Sequence, residues 1–323
     1  MMQFYKNRDF GALISDTFSF FKIYGKNYFK NYFLINGLLV ILFSAVIVLG
    51  YRELVMQLFA GNVNGESYYF EEYFQDNIGV LILFSLVVLV LALIIGIISF
   101  TFPIFYLKRI AKNPSHSISS DEILKDLKGN IKKIVILIPG LLFVVTPLFI
   151  FVYGISAALM IVIIGFFLLL ITLPMSLNAV NFLLYDYFNT NRGFFGSLSF
   201  AIRAQFSYPS LRKGSPFWKY WTTVIILMLM IYAFQFVITY IPMILLYGSS
   251  LATNYAESYD PYNNAGEFFG ISFFIVYAIS IIVSFVLNNF ILVSAGLMYY
   301  DNRTDLHQQV DLLEIDSIGT NEA

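Results

Sequence analysis

Asn178, Asn181, Gln235, Asn288 and Asn289 stand out because each is a polar side chain inside a long apolar stretch. Asn178 and Asn181 are three residues apart and would share one face of a helix. Such amides have two readings. They could line a polar path or hold a headgroup. They could also hydrogen-bond from helix to helix, at roughly 0.6 kcal/mol each and at most ~2 kcal/mol. The second is the expectation here. Glu71 and Glu72 sit among Tyr68, Tyr69, Phe70, Tyr73 and Phe74. They could meet a cation, but a short solvated helix is the simpler reading. With no Cys, the chain has no thiolate, disulfide or Cys-ligated metal. Its two His, His116 and His307, both lie in polar segments. Neither a G-x-x-x-x-G-K-[ST] loop nor H-E-x-x-H nor G-x-S-x-G occurs. No catalytic residue, metal or cofactor is therefore expected. A net charge of −1 supplies no basic field for nucleic acid.

The elements that carry these amides follow from composition. Of 323 residues, 59% are apolar and 12% charged, with a mean hydropathy of +0.76. Soluble domains run at roughly 45–50% apolar and about 25% charged, so lipid must be the solvent for much of this chain. Six spans are expected, over 33–50, 78–107, 134–153, 157–185, 221–247 and 271–298. The third and fourth come from 52 consecutive residues without a charge, divided near Tyr153–Ser156, where Gly154 and Ser156 could turn. With six spans, 18 of 19 Lys and Arg fall on one side. The positive-inside rule then expects both termini in the cytoplasm. Tyr32, Tyr51, Tyr106, Trp218, Tyr220, Trp221, Tyr247, Tyr299 and Tyr300 mark span ends, as interfacial aromatics do. The expected class is an all-α polytopic membrane bundle, with one transmembrane domain over 1–303 and an acidic cytoplasmic tail over 304–323.

Each hairpin of spans is preceded by a segment that reads as an amphipathic helix. Apolar residues in Phe10–Phe29 recur at 10, 13, 14, 18, 21, 28 and 29, which predicts a helix in the inner headgroup plane. Ser119 and Glu122 have the spacing of a capping box ahead of Ile123, Leu124 and Leu127. Residues 193–206 form the third such segment. Phe10-Gly11-Ala12-Leu13 is echoed by Phe195-Gly196-Ser197-Leu198, and Leu184-Tyr185-Asp186-Tyr187 by Met298-Tyr299-Tyr300-Asp301. Three repeats of helix plus hairpin account for this order.

The segment FGALISDTFSFF at 10–21, the repeated hairpins and the closing YYDNR at 299–303 resemble a group of uncharacterised bacterial integral inner-membrane proteins. That group is similar to the membrane domain attached to glycerophosphodiester phosphodiesterases. The hydrolase domain itself has no counterpart in this sequence. The resemblance is one of layout over nearly the whole chain. It implies an inner-membrane component without catalytic residues, its clearest shared feature being Tyr300-Asp301 with Arg303.

The function expected from all this is a non-catalytic membrane subunit or scaffold, with membrane lipids and other membrane proteins as partners. The alternative is a channel or carrier for a neutral or lipid-like solute. In the tail, Val310, Leu313 and Glu314 belong to a stretch that interleaves aliphatic and acidic residues. Such a stretch could dock on a basic partner as a short helix, or stay solvated.

Overall fold

A computed structural model describes residues 2–50, 68–208, 214–246, 248 and 271–303. Among the described residues there are helices and no strand. Eight helical runs follow in chain order: α1 Phe10–Gly50, α2 Tyr68–Lys112, α3 Ser120–Gly129, α4 Ile131–Val162, α5 Ile164–Asn189, α6 Phe194–Ala204, α7 Phe217–Leu246 and α8 Ile271–Asn302. Six of them, all but α3 and α6, are long and apolar enough to cross a membrane, so the protein is a multi-pass membrane protein. Their outward faces carry exposed Leu38, Val80, Leu83 and Ile150, which suits lipid as the solvent.

The described residues form two compact units. One comprises 2–32, 100–208, 214–228 and 289–303, the other 33–50, 68–99, 229–246, 248 and 271–288.

Helix α3 begins at the capping box read from the sequence. Ser119 Oγ accepts from the Glu122 N–H and the Glu122 carboxylate accepts from the Ser119 N–H. The bond from Ser119, followed by that from His116, holds the Glu122 carboxyl below its ordinary value. Ile123 is buried beneath the helix, while Leu124 is exposed.

The first helix differs from its expectation in two ways. It does not end before the span but runs into it through a π-helical turn at Phe33–Gly37. Its face buried on protein is Leu13, Thr17, Phe20, Tyr24, Tyr28 and Asn31, which shares Leu13 and Tyr28 with the apolar stripe and leaves Phe18 exposed. Counting apolar residues alone missed it, because Thr17 and Asn31 are polar and bury with their bonds made. Thr17 Oγ1 donates to the Leu13 carbonyl at 2.7 Å, and Asn31 Nδ2 to the Ile118 carbonyl at 2.9 Å. The face therefore packs on protein: the Phe20 ring lies edge-on to Tyr28 at 5.7 Å and to Tyr106 at 6.1 Å.

The turn between the third and fourth spans also lies elsewhere. Gly154 and Ser156 continue α4, and the chain reverses at the 3₁₀ turn Leu159–Val162 and Ile163. The glycine that permits the reversal is Gly165, where a Cβ would collide with the Ser156 carbonyl. Ile163 has φ +66°, a left-handed conformation that is unusual for a β-branched residue. That conformation costs an L-residue roughly 1–2 kcal/mol. Ile163 is exposed, so its side chain recovers little by packing on protein. Replacing it with Gly should stabilise the purified protein by about 1 kcal/mol, read as a higher midpoint of unfolding in detergent. An unchanged or lower midpoint for I163G would contradict the strain.

π-helical turns occur at Phe33–Gly37, Leu141–Val145 and Phe236–Tyr240, one in the first helix of each hairpin. Two of them answer a proline. Pro147 and Pro242 lack an N–H, which leaves the carbonyls four residues earlier, on Phe143 and Ile238, without their helical donor. Both carbonyls fall inside the widened turns, which close instead by Thr146 N–H to Leu141 and Ile241 N–H to Phe236.

Candidate functional site

The polar site of this protein is a clasp of buried charge at the ends of α5 and α8, within the first unit. Asp301 lies in the last turn of α8 and Asp186 in the last turn of α5, and both are fully buried. A negative charge there faces the negative end of the helix dipole, so donors must come from elsewhere in the chain.

Asp301 draws them from the N-terminal segment and from α7. Its Oδ1 accepts the Arg8 backbone N–H at 2.7 Å. Its Oδ2 accepts from the Tyr220 hydroxyl at 2.6 Å and from Lys219 Nζ. Lys219 also donates to the Arg8 carbonyl at 2.8 Å, so both peptide groups of Arg8 are pinned. The Arg8 side chain, itself buried, folds back on its own segment. Its guanidinium donates to the carbonyls of Phe4 and Gln3, each at 2.6 Å, and Nε pairs with Asp16 at 2.8 Å. Burial lowers the Arg8 pKa, and the hydrogen bond and charge of Asp16 oppose that shift. Phe4 and Tyr5 close the segment edge-on against the Tyr300 ring, at 5.9 and 4.9 Å.

Asp186 is matched by Arg303 just past α8 and by Arg192 before α6, each at 3.3 Å from Oδ1. Tyr185 donates across to the Leu292 carbonyl at 3.0 Å and stacks on Tyr299 at 5.7 Å. Gly296 makes this approach possible, since a Cβ there would strike the Tyr185 hydroxyl and Leu107. Lysines complete the end of α5. Lys108 donates to the Phe188 carbonyl at 2.9 Å, and Lys133 to those of Tyr187 and Thr190 at 3.2 and 3.1 Å. Arg109 grips Asp126 through two bonds, at 2.6 and 3.0 Å, and so joins α2 to α3.

The five amides singled out from the sequence do not meet one another. In the first unit, Asn178 and Asn181 are buried on α5. Asn181 Nδ2 donates to its own helix at the Leu177 carbonyl, and Asn178 Oδ1 has no hydrogen-bond partner. Asn289 accepts from the Tyr28 hydroxyl at 2.7 Å, joining α8 to α1. In the second unit, Gln235 Nε2 donates to Ser280 Oγ at 2.5 Å and to Thr239 Oγ1 at 3.0 Å, while Asn288 is exposed. Asn36, which the sequence reading passed over, donates to Ser99 Oγ at 2.8 Å in the same unit. Val310, Leu313 and Glu314 lie outside the described residues. Among the described residues, no three His, Cys, Asp or Glu are grouped to hold a metal ion.

Chemically the clasp binds the chain to itself. Its carboxylates face cations and a phenol of the same protein, and that fixes the N-terminal segment on the helix ends. Of its members the sequence signalled the two Tyr-Asp pairs, but nothing signalled Arg8 or Lys219. Comparison of the chain with protein-family models, curated proteins and solved structures finds no match.

Removing one partner of a buried ion pair costs roughly 3–5 kcal/mol. D301A should lose about that much, and trypsin should then cleave at Lys6 and Arg8 in otherwise intact protein. Unaltered protection of residues 2–9 in D301A would show that the clasp does not hold the segment.

Proposed function

We propose that this chain is a non-catalytic protein of a bacterial inner membrane, a subunit or scaffold of a membrane-protein assembly with both termini in the cytoplasm. The observation that carries this reading is the clasp. It ties the N-terminal segment, α5, α7 and α8 together through buried charges. Carriers work by rocking one group of helices against another. Buried ion pairs across helix ends oppose such motion, whereas a fixed platform for partners benefits from them. The one-sided distribution of Lys and Arg supports the orientation. The acidic-aliphatic stretch with Val310, Leu313 and Glu314 suits a basic cytoplasmic partner. The alternative, a channel or carrier for a neutral or lipid-like solute, draws on the π-helical turns and the unpaired Asn178 oxygen.

Topology is testable because the native chain lacks Cys. Single Cys at Asn64 or Asn263 should react with an impermeant thiol reagent in intact spheroplasts. Cys at the exposed positions Ser115 and Gly196 should react only after lysis. Reaction at position 196 from outside would sink the orientation.

The scaffold role is tested by purifying the full chain in mild detergent and identifying what accompanies it. Deleting 304–323 should leave the unfolding midpoint unchanged while releasing the accompanying protein, more readily at high salt, where charge attraction is screened. A monomer without companions that passes a neutral solute in liposomes would replace this reading with the carrier.

A further inference from the structure

Three guanidinium groups gather where α5, α6 and α8 meet in the first unit. Arg192 and Arg303 stand over the Phe200 ring, with Cζ at 5.1 and 5.5 Å from its centroid. Arg203, one turn further along α6, donates to Ser199 Oγ at 2.7 Å. Arg192, Gly196, Ser199, Phe200, Arg203 and Ser207 line a cleft of about 580 Å³. That is within the range of about 300–1,000 Å³ typical of small-molecule sites.

Among the described residues, the two arginines that line this cleft, Arg192 and Arg203, meet one carboxylate between them, that of Asp186. Arg192 and Arg303 share one carboxylate, Asp186. Arg203 meets a hydroxyl and no carboxylate among the described residues. Arg keeps its charge at any physiological pH, and its fork fits two oxygens of one phosphate. Ser199 Oγ, which accepts from Arg203, keeps its own O–H as a neutral donor on the same wall, while the Ser207 hydroxyl donates to the Arg203 carbonyl at 3.2 Å.

The faces of α6 set the depth of the cleft. Phe194, Ser197, Ala201 and Ala204 are buried. On the opposite face Phe195, Ile202 and Phe206 are exposed, and Trp218 is exposed at the start of α7. Ser199 and Arg203, four residues apart, share the face beside that apolar one, and Ser207 follows just past the helix end. An exposed apolar face of this kind seats in the boundary between acyl chains and headgroups. Its neighbouring cations then stand at the level of lipid phosphates.

We propose that this cleft binds a phosphate ester, supplied by the headgroup of an anionic phospholipid or by a soluble phosphate ester of the same chemistry. The site is separate from the clasp contacts of Arg8 and from the partner-binding role proposed above.

The test uses the full-length protein in neutral detergent. It is titrated with phosphatidylglycerol, phosphatidylcholine, glycerol 3-phosphate and inorganic phosphate, with binding read by native mass spectrometry. Phosphatidylglycerol should bind at least about tenfold more tightly than phosphatidylcholine, a factor worth roughly 1.4 kcal/mol. Arg203 is exposed, so R203Q should keep the wild-type unfolding midpoint and lose at least about tenfold in affinity. S199E, which sets a carboxylate against Arg203 in the cleft, should abolish binding while all three arginines are kept. Binding of glycerol 3-phosphate or inorganic phosphate that both variants lose would support the site and assign it a soluble ligand. Equal binding of the two lipids with no binding of either phosphate overturns the proposal. So does wild-type affinity in folded R203Q and S199E.

Discussion

A carboxylate taken out of water must be matched by donors, and two buried ones set the terms for one end of this protein. Asp186 and Asp301 each occupy the last helical turn, where the helix dipole already disfavours negative charge. The match must therefore be stronger than for a carboxylate at a helix start. It is met by Arg192 and Arg303 in one case, and in the other by Lys219, Tyr220 and a backbone N–H. Lys108 and Lys133 then satisfy carbonyls at the end of α5. Much of the basic charge on this side is thus used by the fold itself. The same residues that orient a membrane protein by charge also make its helix ends affordable in terms of desolvation.

The span helices were legible because a hydrocarbon solvent demands long apolar runs, and composition alone reveals those. Their joints were not. The reversal at Ile163 falls inside an uncharged run where no polar or proline signal marks it. It depends on a close backbone approach at Gly165, which is a three-dimensional fact. The protein-facing side of α1 was not legible, because Thr17 and Asn31 look solvent-facing until their hydrogen bonds are known. The clasp was half legible. Tyr185-Asp186 and Tyr300-Asp301 echo one another in sequence, yet Arg8 binds Asp301 from 293 residues away. No local pattern reports such a pairing.

The repeat suggested by short sequence echoes has a physical counterpart in the π-helical turns. One lies in the first helix of every hairpin, with few residues in common: FLING and FVITY share Phe and Ile at their first and third positions, and LLFVV shares neither. In the first and third, a polar side chain of the turn reaches a serine of the hairpin's second helix, Asn36 to Ser99 and Thr239 to Ser280. In the second the turn is apolar throughout. The geometry thus recurs with little residue identity, as it does when a backbone feature is what the packing requires. The repeat is weaker at its leading helices. Those before the second and third hairpins are separate and short, while the first is fused to its span.

The two units differ in what holds them. Among the described residues, the first contains the buried charged pairs Lys219–Asp301 and Arg303–Asp186, whose rupture costs roughly 3–5 kcal/mol each. The second is joined by neutral bonds, Asn36 to Ser99, Ser44 to the Ala278 carbonyl, and Gln235 and Thr239 to Ser280. Bonds of that kind average only about 0.6 kcal/mol inside a membrane, because an unfolded helix in lipid also finds partners. Two or three of them can exchange for bonds to a neighbouring helix at little net cost. Rearrangement of helix contacts therefore costs least in the second unit. The first, closed by charge on its own N-terminal segment, keeps one arrangement and presents its basic cleft unchanged.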